Sequence, residues 1–367
     1  MKLQCTNNNI KDAVVTAERN TSKNQTLPVL NSLLIDAEKD KIKIRATNLE
    51  TAIEIIVPGK IFESGSIVVP AKILSSFLAN AGFEQITFQT NKNNLLIKTD
   101  TVETIIRGYP LEDFPIFPHI SAQEKFTVPA PELKYGISSV IIAASHSDIK
   151  PELSSVFFNV FKNTIKIAAT DSFRLAEKTI ISKNIQQERS LSFLIPQKGA
   201  QEILKLLGED EDIELGINKN QIILKHRNLI FISRLTDGKF PDYEQILPKS
   251  FKTTAIVKKS DISSHMKLAG VFVGKLNDIG VNFDPAKKSI IINTSNSDVG
   301  EHVSQISSMI QGDKISAKFN ERYLSEGIAQ INSEYIEFNL NTSESPLLIK
   351  GKGDNSYLYL LMPMRGV

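Results

Sequence analysis

Only one cysteine, Cys5, occurs in the 367 residues, so no disulfide can close within the chain and no paired-cysteine zinc site exists. A reducing interior suits such a chain. Long apolar runs are missing as well. Nowhere do about eighteen apolar residues follow one another, and the opening MKLQCTNNNIKD lacks the apolar stretch of a signal peptide. The expectation is a cytoplasmic protein with no membrane partner. There is also little excess charge of either sign. The formal net charge is +2, so attraction to an anionic partner must come from local placement rather than from bulk charge. Core material, by contrast, is ample: 41% of residues are hydrophobic and 23% charged, which fits two or three domains of ordinary size.

Catalytic signatures are equally scarce. The five histidines, His119, His146, His226, His265 and His302, are scattered, with no pair at helical ligand spacing, and receive no catalytic or metal assignment. GVFVGKLN at 270–277 holds a Gly-Lys pair but lacks the spacing of a phosphate loop and the hydroxyl residue after the lysine. It reads as a helix end and turn. The acidic run EDED at 209–212 follows a helix end and has no histidine partner nearby, so it reads as a solvated loop and not as a cation site. A hydrolase or transferase on this scaffold would need a convergent nucleophile, base or metal cluster, and none is offered.

Self-similarity organises the rest. KLQCT at 2–6, KFTVP at 125–129 and KTTAIV at 252–257 each read as a strand leading into an amphipathic helix, at 10–20, 131–145 and 260–272. Asp12, Glu132 and Asp261 supply the acidic residue that a helix start prefers. Alternating strands follow each helix and end in turns centred on Thr47, Thr170 and Thr294. Second helices lie in VPAKILSSFLANAG, IPQKGAQEILKLLG and FNERYLSEGIAQI, which begin at Val69, Ile195 and Phe319, with Gly82 and Gly208 fitting positions just past a helix end. Hairpin strands then close each copy with TIIRGYPLEDFP, FISRLTDGKFPDY and YLYLLMPMR. The chain is thus an α+β protein of three tandem units of about 120 residues each. Terminal units leave strand edges that must be covered or paired, and two chains joined head to tail would close six units without a free edge.

The motifs TLPVLNSLLI (26–35), ATDSFRLA (169–176), DGKFPDYEQILP (237–248) and MPMR (362–365) fall in order across the three units. In these the chain resembles the beta-subunit family of bacterial DNA polymerase III, the sliding clamps. The resemblance spans the whole chain. It implies three clamp units at 1–121, 125–249 and 252–367, closing as a head-to-tail homodimer into a ring. The ring would encircle duplex DNA without reading sequence and tether the polymerase III catalytic subunit and other proteins carrying a clamp-binding motif. It further implies a clamp loader as partner, no cofactor, no metal and no catalysis. A monomeric peptide-binding scaffold that does not encircle DNA is the alternative.

The resemblance also places a cleft for short partner peptides. Leu153 and the turn residues Thr170, Ser172, Phe173, Arg174 and Leu175 form one side; Pro241, Gln245 and Ile246 come from DGKFPDYEQILP, the tail that follows the second unit's last strand. The third unit contributes Asn320, Tyr323, Glu344 and Pro346, then Leu360, Leu361, Met362, Pro363, Met364 and Arg365. Methionines on such a surface adapt to peptides that differ in detail. Read without the resemblance, MPMR is the end of a last strand packed into the third core. Four positions depart from the commoner family pattern: Phe173 replaces a histidine, Ser172 a glycine, Asp278 an aromatic and Gln245 an arginine. DNA-facing candidates, chosen by helix placement and by the resemblance, are Lys72, Lys198 and Lys205, with Lys23 and Lys150 in loops; Lys11, Lys134, Lys267 and Arg322 are weaker ones. The ring contact implied by the family sets Ile105 and Ile106 against Phe272 and Val273.

Overall fold

A computed structural model describes residues 1–22, 27–38, 41–185, 187–208 and 211–364. Among the described residues, each of six α-helices follows a strand with no linker. They are α1 (Asn7–Glu18), α2 (Ala71–Asn80), α3 (Ala130–Ile141), α4 (Gln197–Leu206), α5 (Lys259–Gly270) and α6 (Glu321–Gln330). Proline stands at the junction before α2, α3 and α4, at Pro70, Pro129 and Pro196. Lacking an N–H, it ends the strand's pairing where the helix must begin.

Each helix is followed by a three-stranded meander, so the chain is a sixfold series of β-α-β-β-β motifs, two per repeat. Two short strands, Lys60–Glu63 and Met309–Gln311, are additions to the pattern. Within a repeat the leading strands are exchanged: Lys2–Thr6 joins the meander that follows α2, and Gly65–Pro70 joins the one that follows α1.

The meanders then fuse across repeat boundaries. Thr51–Val57 pairs antiparallel with Leu229–Arg234, with Ile53 opposite Phe231, inside an eight-stranded sheet. Arg174–Ile181 pairs in the same way with Tyr357–Leu361, with Leu175 opposite Leu360, inside a nine-stranded sheet. In consequence the compact units do not follow the repeats. One unit is Met1–Val128 with Asp210–Leu235, the other Pro129–Glu209 with Thr236–Val367, and the central repeat is divided between them by its two fused sheets. The remaining sheets, of five and four strands, end at Glu103–Arg107 in the first unit and Gly300–Ser307 in the second.

Several local expectations need correcting. Asp12 lies beyond the first turn of α1, which starts at Asn7 because the strand runs straight into it. Gly82 and Gly208 do follow α2 and α4, but Ala81 and Leu207 before them are already extended and neither glycine has a positive φ. Those helices end by return to strand geometry, not by a left-handed cap. Thr294 does not centre a turn: it lies within Ser289–Asn296, and its hydroxyl donates to the Ala269 carbonyl at 3.3 Å. Of the EDED run, Glu209 and Asp210 lie outside the described residues. Glu211 does have a histidine partner, His226 Nε2 at 2.6 Å, together with Arg227, because the turn between the paired strands Gln221–His226 and Leu229–Arg234 brings both to it.

Candidate partner-peptide cleft

The turn between Thr164–Thr170 and Arg174–Ile181 is fixed by its own side chains. The Thr170 hydroxyl donates to the Arg174 carbonyl at 2.7 Å and accepts from the Ser172 amide at 3.1 Å; Asp171 Oδ1 accepts from the Phe173 and Arg174 amides. Ser172 takes φ 76°, a left-handed conformation that favours glycine. The result is that Phe173 is thrust outward, 64% exposed, while Arg174 turns in.

Arg174 is buried. Its Nε donates to Asp171 Oδ2 at 2.9 Å, Nη1 donates to Glu326 on α6, and the guanidinium lies 3.8 Å from the centre of the Tyr323 ring. Burial alone would depress its pKa, but the bond to Glu326 and the nearby Tyr359 and Asp171 oxygens outweigh it and hold the pKa raised. Arg174 therefore stays charged and ties the turn to the third repeat.

The tail past Arg234 packs against the same sheet. Phe240 stacks on Phe157 with centroids 4.8 Å apart, and Tyr243 meets Phe240 edge-on at 5.9 Å. Both join a buried cluster with Ala168, Leu175, Leu194 and Leu360. The Tyr243 hydroxyl donates to Glu177 Oε2 at 2.5 Å, and burial, then the Glu177 charge, pushes its pKa up. The tail is thus a structural layer packed on this sheet.

Between turn, tail and C-terminal strand is a hollow of about 240 Å³. The buried Leu175 and Leu360 line it together with Thr170, Ser172 and Arg174 from the turn, Pro241 and Ile246 from the tail, and Met362 past the last strand. Asp242 and Tyr243 also line it; both lie within the DGKFPDYEQILP motif that marked this wall in the sequence, though neither was singled out as a cleft residue. Met362 continues into a wider space of about 820 Å³ together with Glu344, Pro363 and Met364. The polar residues Asn282, Asn293, Ser316 and Lys318 line it too; they come from three strands, Ser316 and Lys318 sharing Ile315–Asn320, so no single local stretch marked the set. The backbone holds this end in place: the Met362 amide donates to the Phe173 carbonyl and the Met364 amide to the Lys318 carbonyl, each at 2.8 Å.

Other expected cleft residues sit around the hollow and not in its lining. Leu153 and Leu361 are buried, Pro346 is half-buried before Leu347–Gly351, and Asn320 caps α6 by accepting from the Tyr323 amide at 3.1 Å. Gln245 donates to Asp242 Oδ2 at 2.6 Å. Arg365 lies outside the described residues. Among the described residues no group of three or more His, Cys, Asp or Glu could hold a metal ion, and no helix is long and apolar enough to cross a membrane.

Three family models match in series: the N-terminal domain of the DNA polymerase III beta subunit at residues 1–118, its central domain at 127–242 and its C-terminal domain at 244–365. The chain belongs to the DNA polymerase III beta subunit family. It is 25% identical to the beta sliding clamp of Synechococcus elongatus over 372 residues, covering 100% of this chain and 99% of the relative. It is also 25% identical to that of Bacillus subtilis over 378 residues, covering 100% of both. The solved sliding clamp of Bacillus subtilis superposes over 100% of both chains with a TM-score of 0.96 at 25% identity. The Pseudomonas aeruginosa subunit gives 0.95 at 23% identity, again over 100% of both chains.

Asp278 is paired with Lys318 at 3.2 Å. The DNA-facing candidates divide. Lys72 and Lys198 are exposed in the first turns of α2 and α4, beside residues that face the core; Lys150 and Lys267 are exposed, and Lys11 and Lys134 half-buried. Lys205 is held by Glu202 at 2.6 Å, and Arg322, which opens α6 as Lys72 opens α2, lies 3.8 Å from Glu326. Lys23 lies outside the described residues. Of the expected ring-contact residues, Ile105 is 62% exposed on Glu103–Arg107, whereas Ile106 is 4% exposed and packs inside its own unit, because neighbours in a strand point to opposite faces. Phe272 and Val273 are half-buried after α5, with Phe272 stacked on His302 of Gly300–Ser307.

Proposed function

We propose that this protein is a cytoplasmic DNA sliding clamp whose units are 1–121, 125–249 and 252–367. Two chains close head to tail into a ring around duplex DNA and hold the replicative polymerase and other replication and repair proteins to it. It acts by topology and tethering, with no reaction of its own.

One observation carries this reading. The last strand of each repeat's first meander pairs with the last strand of the following repeat's second meander, at Thr51–Val57 with Leu229–Arg234 and at Arg174–Ile181 with Tyr357–Leu361. The same rule leaves Gly300–Ser307 of the third repeat and Glu103–Arg107 of the first without a mate, each at the end of its sheet. A second copy supplies both missing partners and abolishes the edges. Ile105 and Val303, each exposed on one of these strands, then cover one another beside Phe272 and Val273.

Basic residues at Lys72, Lys198 and Arg322 support the DNA side. Each is the second residue of its repeat's second helix, the end where the helix dipole disfavours a cation and favours a phosphate. Such contacts attract a duplex without reading it.

The test is retention on DNA. The protein is loaded by a clamp loader onto nicked circular duplex, isolated at high salt, and the circle is then cut. Release only on cutting is expected; failure to be retained on the intact circle, or retention after cutting, rejects encirclement.

A further inference from the structure

We propose that the joint between two chains has the register of the joints within one, so that Thr104 of one chain lies opposite His302 of the other and their side chains bond; this rests on the ring reading above. The two internal joints are the templates. Starting the strands Lys41–Thr47, Thr164–Thr170 and Ser289–Asn296 together makes Ala46, Ala169 and Thr294 equivalent. Their partners on the next strand are Ile53, Ala176 and His302. Across the joints, Ile53 lies opposite Phe231 and Ala176 opposite Tyr359. Leu229–Arg234 and Glu103–Arg107 both end in arginine, and aligned on it Thr104 takes the place of Phe231. His302 therefore falls opposite Thr104.

The faces agree. His302 pairs with Thr294, whose hydroxyl reaches Ala269 on α5, and Thr104 pairs with the fully buried Ile97, so both side chains are on the core side of their sheets. His302 Nε2 is buried in the single chain without a hydrogen-bond partner, and such an atom is costly to leave unpaired. The Thr104 hydroxyl both donates and accepts, so it completes His302 in either tautomer. A slip of one residue would turn every side chain to the wrong face. A slip of two keeps the faces and gives Thr104 to Ser304, whose Oγ is also unpartnered; the internal joints decide against it. On the outer face, Glu301 lies opposite Ile105, still in water and diagonal to Arg107, while Val303 is diagonal to Ile105.

Two cysteine pairs in the full chain read the register after mild oxidation, on a gel without reductant. Residues directly opposite have Cα atoms about 4.5–5.5 Å apart, within disulfide reach; diagonal ones are about 7–8 Å apart and outside it. Expected is a covalent dimer from Thr104→Cys with His302→Cys and little from Thr104→Cys with Ser304→Cys. The parent, whose one cysteine is buried, is the control. Thr104→Val and His302→Phe, which keeps a ring stacked on Phe272, test the bond. In a sedimentation dilution series each should weaken the dimer about five- to a hundredfold, since one bond is lost at both joints, and the two together no more than either alone. Equal or preferential crosslinking of the Ser304 pair, or none from either pair in a dimeric protein, overturns the register. Losses that are absent, or that multiply in the double variant, overturn the bond. If the parent itself sediments as a single chain, the ring reading falls and the proposal with it.

Discussion

At the scale of single residues, backbone strain at two non-glycine positions is the most direct handle. Ser172 and Leu49 sit at φ 76° and 75°, where a side chain costs about 1–2 kcal/mol. Ser172→Gly relieves this but adds freedom to the unfolded chain, so a net gain of up to about 1 kcal/mol is expected. A rise in the urea midpoint at unchanged slope is the check. Cys5 gives a pH handle. Burial pushes its thiol up to about 12, whereas in an unfolded chain it ionises near ~8.5. Stability owed to the neutral thiol is therefore complete below the lower value and is lost as pH rises toward the upper one. Cys5→Ala should lose less stability than the parent across that window, and the native thiol should resist iodoacetamide at pH 8.5 until denaturant is added. Little of this was legible beforehand. Arg174 could be placed on a turn, but Glu326, its partner, is 152 residues away in sequence, and only the fused sheet brings the two together.

At the scale of elements, the tails join the repeats and also cover sheets. The first packs Phe117, Ile120 and Ala122 onto Ala52, Ile223 and Ile232, with the Arg45 guanidinium 5.2 Å from the Phe117 ring centre. The second does the same with Phe240 and Tyr243. Phe240→Ala should therefore cost about 3–5 kcal/mol and weaken peptide binding together with stability. Ile246→Ala, at a position 55% exposed, should weaken binding with stability changed by less than about 0.5 kcal/mol. Comparing denaturation with peptide affinity for the pair separates the tail as a core layer from the tail as a docking surface. The helices could be read to within a few residues because their apolar spacing is local. Their starts were missed by one to three positions because no side-chain cap marks α1 to α5: the strand simply turns into helix, and strand alternation is compatible with many sequences.

At the scale of the whole molecule, the two unmated strands predict the assembly. Phe272→Asp puts a carboxylate beside His302 at the proposed joint, and an unpaired charge buried there is costly. Sedimentation at micromolar concentration should show a single-chain mass for this variant and twice that mass for the parent, with peptide binding retained. A variant that remains dimeric places the joint elsewhere. The threefold repeat was visible in the sequence, yet the sixfold series and the fusion of sheets across repeats were not. Both depend on pairings such as Ile55 with Leu229, for which a local pattern carries no register.

The Thr47 turn repeats the Thr170 turn bond for bond: its hydroxyl donates to the Thr51 carbonyl at 2.8 Å and accepts from the Leu49 amide at 3.0 Å, while Asn48 stands in for Asp171. Duplication has thus left a twin of the Thr170 turn on another sheet, already folded and already flanked by its own aromatic tail. Recruiting a second class of client would require new side chains on an existing frame, not a new backbone, and the twin is where an engineer grafting an orthogonal tether should begin.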